Sequence, residues 1–302
     1  MKKTVAILLL VLGWCGAGAA LAATLEKTIA AAQRGDVVAQ FNLGVMYEKG
    51  TGVTKDQAQA VAWYRKAAEQ GNAAAQFNLG VMYGKGSGVV KDEAQAVAWY
   101  RKAADQGYAA AQSNLGVMYE KGTGVIKDEA RAVAWYRKAA EQGYAAAQFN
   151  LGVIYEHGGG GVIKNETRAV AWYRKAAGQG NAAAQYNLGV MYANGSGVAR
   201  DEAQAVAWYR KAAGQGHAAA QFNLGVMYDD GSGVTKDQAQ AVVWYRKAAE
   251  QGLAVAQFNL GAMYESGLGV ARDTAQAVAW YRKAAAQGLA SAQKRLSQMG
   301  DK

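Results

Sequence analysis

The sequence holds a single cysteine, no proline and two histidines among 302 residues. A lone Cys15 cannot pair within the chain, so stability has to come from packing and not from disulfides. His157 and His217 stand far apart in sequence. With one cysteine they make neither a zinc-ligand spacing nor a nucleophile–base pair, so no metal, no cofactor and no catalytic residue is assigned, and an enzyme is not expected. Without proline, chain reversals must be written in helix caps and in glycine, of which there are 38. No strand-like alternation appears anywhere, and the apolar run from Val5 to Leu12 is too short for a permanent bilayer span.

That run has another explanation. Lys2 and Lys3 precede it, the small-residue stretch GAGAALAA follows it, and Ala20-Leu21-Ala22 suits a signal peptidase. Residues 1–22 are therefore read as an export signal cleaved near Ala22/Ala23, giving a periplasmic or secreted protein whose only membrane contact is through that signal. A lipid anchor on Cys15 competes, but Trp14 stands where a small residue is needed. Losing Lys2 and Lys3 lowers the net charge from +10 to +8. Such an excess raises the question of nucleic acid. Each repeat described next carries a small basic bias, however, and an exported protein seldom meets nucleic acid, so none is expected as a partner.

What the sequence has in abundance is repetition. AVAWYRKAA occupies 60–68 and returns at 96–104, 132–140, 169–177, 205–213 and 277–285, with AVVWYRKAA at 241–249. Units run at 36–71, 72–107, 108–143, 144–180, 181–216, 217–252 and 253–288, the fourth one residue longer in its loop. Residues 23–35 imitate half a unit as an N-terminal capping helix, and 289–302 form a C-terminal capping half-repeat. A period of this size means a stacked array. Each unit reads as two helices. In the first, helix A runs from Val37 to Lys49 behind Asp36 and ends on Gly50. Helix B opens at Asp56, with Gln59 completing a capping box. Ala60, Trp63, Tyr64, Ala67 and Ala68 share one face, so the tryptophans and tyrosines are expected to fill the junctions while Arg65 and Lys66 point outward.

The unit AAAQFNLGVMYGKGSGVVKDEAQAVAWYRKAADQG resembles the Sel1-like repeat, a relative of the tetratricopeptide repeat, over nearly the whole chain after residue 22. Leu43, Gly44, Tyr47, Ala60, Tyr64 and Ala67 match that family's framework positions. The resemblance implies an all-α, right-handed α/α superhelical solenoid of seven helical-hairpin repeats whose helices A line a concave groove. It further implies a protein-binding adaptor, here a monomer serving an envelope or secreted complex. Family members often carry proline after the loop valine. This chain has Thr54, Val90, Ile126, Ile163, Ala199, Thr235 and Ala271 there.

Helix A has a second face, with Val38, Phe41, Val45 and Glu48 three or four residues apart. Its aromatic member recurs as Phe41, Phe77, Phe149, Tyr186, Phe222 and Phe258, with Ser113 breaking the series. Beside it stand Asn42, Asn78, Asn114, Asn150, Asn187, Asn223 and Asn259. These are the candidate contacts for a protein or peptide in the groove. The rings pack on a neighbouring helix in the competing reading, and the asparagines bond either a peptide backbone or the adjacent helix. Residues closing helix A run Lys49, Lys85, Lys121, His157, Asn194, Asp230, Ser266. They would orient a polar partner if they edge the groove, and mark drift on a solvated rim if they do not.

Secreted relatives with a disulfide in every repeat bind β-lactams, which makes a β-lactam-binding or hydrolase function the leading alternative; the missing cysteines weigh against it. Ser291 and Lys294 match S-x-x-K without its companion motifs. Gly158–Gly161 lack the Gly-Lys-Ser/Thr of a phosphate loop and read as a loop extension. Asp229-Asp230 reads as a solvated helix end. A third reading is envelope glycan or lipid on a basic outer surface.

Overall fold

Alanine-rich phrases with caps at each end fold here as short helices of one length. The computed structural model describes residues 17–300, and all its regular elements are α-helices: α1 (Ala17–Gln33), α2 (Val37–Lys49), α3 (Gln57–Glu69), α4 (Ala73–Lys85), α5 (Glu93–Asp105), α6 (Ala109–Lys121), α7 (Glu129–Glu141), α8 (Ala145–His157), α9 (Glu166–Gly178), α10 (Ala182–Asn194), α11 (Glu202–Gly214), α12 (Ala218–Asp230), α13 (Gln238–Glu250), α14 (Ala254–Ser266), α15 (Thr274–Ala286) and α16 (Ala290–Gln298). The even-numbered helices α2–α14 are helices A and the odd-numbered α3–α15 are helices B. The expected targeting residues Lys2, Lys3, Val5–Leu12 and Cys15 lie outside the described residues, and α1 runs on through Ala22 and Ala23.

The predicted caps are in place, but the capping box is not closed by Gln59, because the Asp56 amide donates to the Tyr47 carbonyl at 2.9 Å. Asp36 accepts a hydrogen bond from the Ala39 amide at 2.7 Å, and Asp56 from the Gln59 amide at 3.0 Å. Asp92, Asn165, Asp201, Asp237 and Asp273 repeat that bond at the start of later helices B. Each relieves one amide that the first helical turn leaves without a partner. Gly50 adopts φ 76°, a left-handed conformation that closes α2 and that a side chain would strain.

The chain divides at Asp128/Glu129 into two compact units. In the first, α1 packs on α2 and the helices continue as a stack to α6. In the second, α7 to α16 stack in the same way. In six of the hairpins, A and B meet where a tyrosine lies on a glycine. Tyr64 is fully buried, and a Cβ on Gly44 would come within 2.6 Å of its ring. The same clash, at 2.5–2.8 Å, would arise at Gly80, Gly152, Gly189, Gly225 and Gly261 against Tyr100, Tyr173, Tyr209, Tyr245 and Tyr281. Leu43, Leu79, Leu115, Leu151, Leu188, Leu224 and Leu260 are buried alongside.

The tryptophans depart from expectation. Only Trp99 reaches burial, at 9% exposure, while Trp63, Trp135, Trp172, Trp208, Trp244 and Trp280 are half-buried. The reason is one turn away. A lysine ammonium covers each ring, Lys66 over Trp63 at 3.8 Å and Lys211 over Trp208 at 3.9 Å, with the other five at 3.9–4.2 Å. The lysines therefore do not simply point outward: a cation–π contact shields the indole while the charge keeps its water.

A second tie was not anticipated from sequence. Gln76 of α4 is 4% exposed and donates its Nε2 to the Ala68 carbonyl in the last turn of α3, at 3.0 Å. Its Oε1 accepts from Gln106, the C-cap of α5, at 2.7 Å. Gln185, Gln221 and Gln257 repeat both bonds at 2.7–3.1 Å. Each staple satisfies a helix-end carbonyl across a repeat junction.

Replacing Gly189 by alanine should destabilise the chain by about 1–3 kcal/mol, since the fully packed Tyr209 ring has no free space to retreat into. Gly178 ends α9 with nothing near its Cβ position. Gly178→Ala should stabilise by about 0.5 kcal/mol. Urea denaturation followed by circular dichroism separates the two, and equal effects would refute the tyrosine contact as the tight point.

Candidate functional site

The predicted face of helix A is present in both units, and its members are not equally free. Phe41, Phe77, Phe149, Tyr186, Phe222 and Phe258 are all half-buried. Each ring packs tilted on the buried tyrosine of its own hairpin, with centroids 5.4–5.9 Å apart. Phe77 also meets Tyr108 at 5.2 Å, and Tyr186 stacks on His217 at 4.8 Å. One side of each ring is thus held by packing, and part of the remainder faces solvent. Ser113, in the aromatic register, is itself buried at 3% exposure. Val38 is 62% exposed at the start of the face.

The asparagines divide according to what precedes them. Asn187 donates to the hydroxyl of Tyr173, in the helix B before it, at 3.0 Å. The amides of Asn78, Asn114, Asn223 and Asn259 face Tyr64, Tyr100, Tyr209 and Tyr245 and oppose the rise in their pKa values. Burial is the main cause of that rise, which takes Tyr209 to about 12. The hydroxyls therefore stay protonated and donate onward. Tyr64 donates to Glu48 at 2.6 Å, Tyr173 to Glu156 at 2.5 Å and Tyr281 to Glu265 at 2.8 Å. For Asn187 the bond to the neighbouring helix is made. Asn42 is different: it is exposed, and Thr28 stands in α1 where a helix B would place its tyrosine.

The arrangement can hold a chain by contact and by hydrogen bonds. Val45, Val81, Val117, Val153, Val190 and Val226 are half-buried next to the rings. An asparagine that gives one N–H to a tyrosine retains a second N–H and its carbonyl oxygen. Lys49, Lys85, Lys121, His157, Asn194, Asp230 and Ser266 are all exposed at the helix ends. At the end of the second unit Arg295 of α16 folds back on Glu265, the residue before Ser266, forming an ion pair and depressing the carboxyl pKa, so that carboxylate is engaged by the chain itself.

The remaining chemical candidates are dispersed. Ser291 and Lys294 are both exposed on α16. Among the described residues no three His, Cys, Asp or Glu side chains come together as a metal site. His217 serves as the N-cap of α12, its Nδ1 accepting from the Ala220 amide at 3.3 Å.

The family model of the Sel1 repeat matches residues 37–72, 73–108, 109–144, 145–181, 182–217, 218–253 and 254–289. Among solved structures, the chain is similar to c5321, a protective antigen present in uropathogenic Escherichia coli strains displaying an SLR fold, with 45% identity and a TM-score of 0.85. That match covers 91% of this chain and 59% of the antigen, so the chain spans less than two thirds of that relative. It is also similar to a Sel1 repeat protein from Oxalobacter formigenes, at 38% identity and a TM-score of 0.73, covering 93% of this chain and 81% of the other. No curated protein matches.

The His217 cap sets a pH dependence. Partial burial lowers its pKa from the ordinary 6.5. The native state then binds fewer protons than the unfolded state, and stability present above about pH 6.5 is lost as the pH falls through the folded value. Asn72 and Asn181 make the same cap without titrating. His217→Asn should therefore flatten the fall in urea midpoint between about pH 7.5 and about pH 5. Parallel curves for the two proteins would remove His217 from the acid response.

Proposed function

This chain belongs to the Sel1 repeat family, whose members generally mediate protein–protein interactions and are generally not catalysts, and from that premise we propose that it is an exported scaffold capturing another protein on the helix A face. The observation carrying this reading is the half-exposed aromatic series. The hairpin's own aromatic, Tyr64 and its equivalents, is buried almost completely, while the ring stacked on it is left partly open in six of seven repeats. Packing alone gives no reason to leave that second ring open, whereas apolar surface rimmed by amides and charges is what a peptide segment recognises. The partner we infer is an extended segment, its apolar side chains set against Phe149, Tyr186, Phe222 and Phe258 of the second unit. The free capacity of the neighbouring asparagines would bond its backbone.

Export is part of the proposal. It rests on the basic, apolar and small-residue order of residues 1–22, and the description of the E. coli relative as a protective antigen supports it. A periplasmic or secreted monomer assembling or regulating an envelope complex is the form this function takes.

Ser113 provides the test, because the chain already tolerates serine in the aromatic register. Phe222→Ser with Phe258→Ser should leave the helical circular dichroism signal in place and weaken partner capture at least about tenfold, a loss of about 1.4 kcal/mol. Capture is read by photo-crosslinking in the native cell from a probe at Val226, with a second probe at Ala207 on the outer face of α11 as control. Crosslinks to one protein from Val226 alone support the proposal. Crosslinks from Ala207 alone, or capture indifferent to the two substitutions, defeat it.

A further inference from the structure

One repeat breaks the pattern of its outer surface. At five junctions an arginine of helix B donates to the tyrosine hydroxyl near the end of the next helix A: Arg65 to Tyr83 and Arg101 to Tyr119 at 2.6 Å, Arg174 to Tyr192 and Arg246 to Tyr264 at 2.8 Å, and Arg210 to Tyr228 at 2.9 Å. The corresponding pair in α7 and α8 is Arg137 and Tyr155, and this bond is not made. One local change sets this junction apart. The loop after α8 carries the extra residue and four consecutive glycines, Gly158 to Gly161, all at positive φ, closed by a short pairing of Gly159 with Val162. Arg168, like Arg131 in the preceding repeat, stands where the others have Gln59, Gln95, Gln204, Gln240 and Gln276, and its guanidinium lies 5.7 Å over the Tyr155 ring.

The result is an open pocket of about 400 Å³ lined by Arg137, Tyr155, Gly161, Lys164, Asn165 and Arg168. Among the described residues neither guanidinium forms an ion pair or side-chain hydrogen bond. Lys164 meets Glu166 at 2.9 Å, and the Glu129 carboxylate lies near Gly159 and is not among the lining residues. The lining side chains with Glu166 therefore leave two positive charges uncompensated. Asn165 caps the N-terminus of α9, whose dipole adds to the same field.

We propose that this pocket binds a phosphate-monoester group, a dianion matched in charge by Arg137 and Arg168. Two forked guanidinium donors suit a tetrahedral oxyanion better than a single ammonium does. Gly161 lines the opening with nothing near its Cβ position, so a bound group can approach the backbone there, whereas Gly160 is packed against the Glu129 backbone and Val133. This is not a phosphate loop of the Walker kind, since its cations come from α7, the loop's end and α9. The site lies outside the helix A face and stands whether or not that face captures a protein.

The experiment titrates the full chain with glycerol phosphate by calorimetry and, separately, with vesicles of phosphatidylcholine with or without phosphatidic acid by flotation. Saturable binding of glycerol phosphate, one per chain, places the source in solution. Binding confined to phosphatidic acid vesicles places it in a lipid headgroup. In either arm Arg168→Gln, which restores the residue of five other repeats and so preserves the helix, should weaken binding at least about tenfold. Deleting Gly161 should do the same by returning the loop to common length. Arg174→Gln, at a junction whose arginine is already bonded, should change binding less than about twofold. No saturable binding in either arm, or equal losses in Arg168→Gln and Arg174→Gln, overturns the proposal.

Discussion

Everything in the stack depends on a tyrosine ring pressed against a helix with no side chain in the way. Tyr64 on Gly44, and its counterparts along the chain, bring helices A and B closer than an alanine would permit. At that distance the ring is sealed, and its hydroxyl is sealed with it. A buried hydroxyl must find partners or cost the stack free energy. The partners come from both directions: an acid at the end of the same hairpin's helix A, where one is present, and an asparagine from the next hairpin. One close contact inside a repeat thus dictates a polar residue in its neighbour, and local packing becomes coupling between repeats.

The glutamine staples extend the same logic to the helix ends. A thirteen-residue helix gains little stability alone, and its terminal carbonyls need donors. Gln76 supplies one to the helix before it and accepts from the cap of its own hairpin. The tryptophans take a lesser part than their size suggests. Held beneath lysines at the surface, they widen the apolar contact without entering the tightest layer.

Periodicity and caps made the fold legible. Asp36, Asp56 and Gly50 sit where their chemistry requires, because capping depends on the backbone within a few residues. The depth of each aromatic was less legible. Trp63 and Tyr64 are adjacent on one apolar face, and only tertiary contact decides that the tyrosine meets Gly44 while the tryptophan meets Lys66. Gln40 and Gln76 passed unnoticed because glutamine suits a solvated helix as well as a buried staple, although its fixed place in every AQ-x-NLG phrase was a signal. The pocket around Arg137 was hidden for a different reason. Its cations are spread over α7, a loop and α9, so no contiguous motif announces it.

Near-identity among repeats has a consequence for recognition. A partner lying along several identical faces loses almost nothing by sliding one repeat, so the common residues give affinity without register. Register requires energetic differences between alternative positions. For the proposed partner, departures within the second unit supply those differences: Tyr186 stacked on His217, and the change from His157 through Asn194 to Asp230 along the exposed helix ends. Each is modest on its own, since exposed charges contribute little singly. Along an extended partner they act together, because one slip misplaces all of them at once. The repeated residues build the surface, and the residues that break the repeat give it direction.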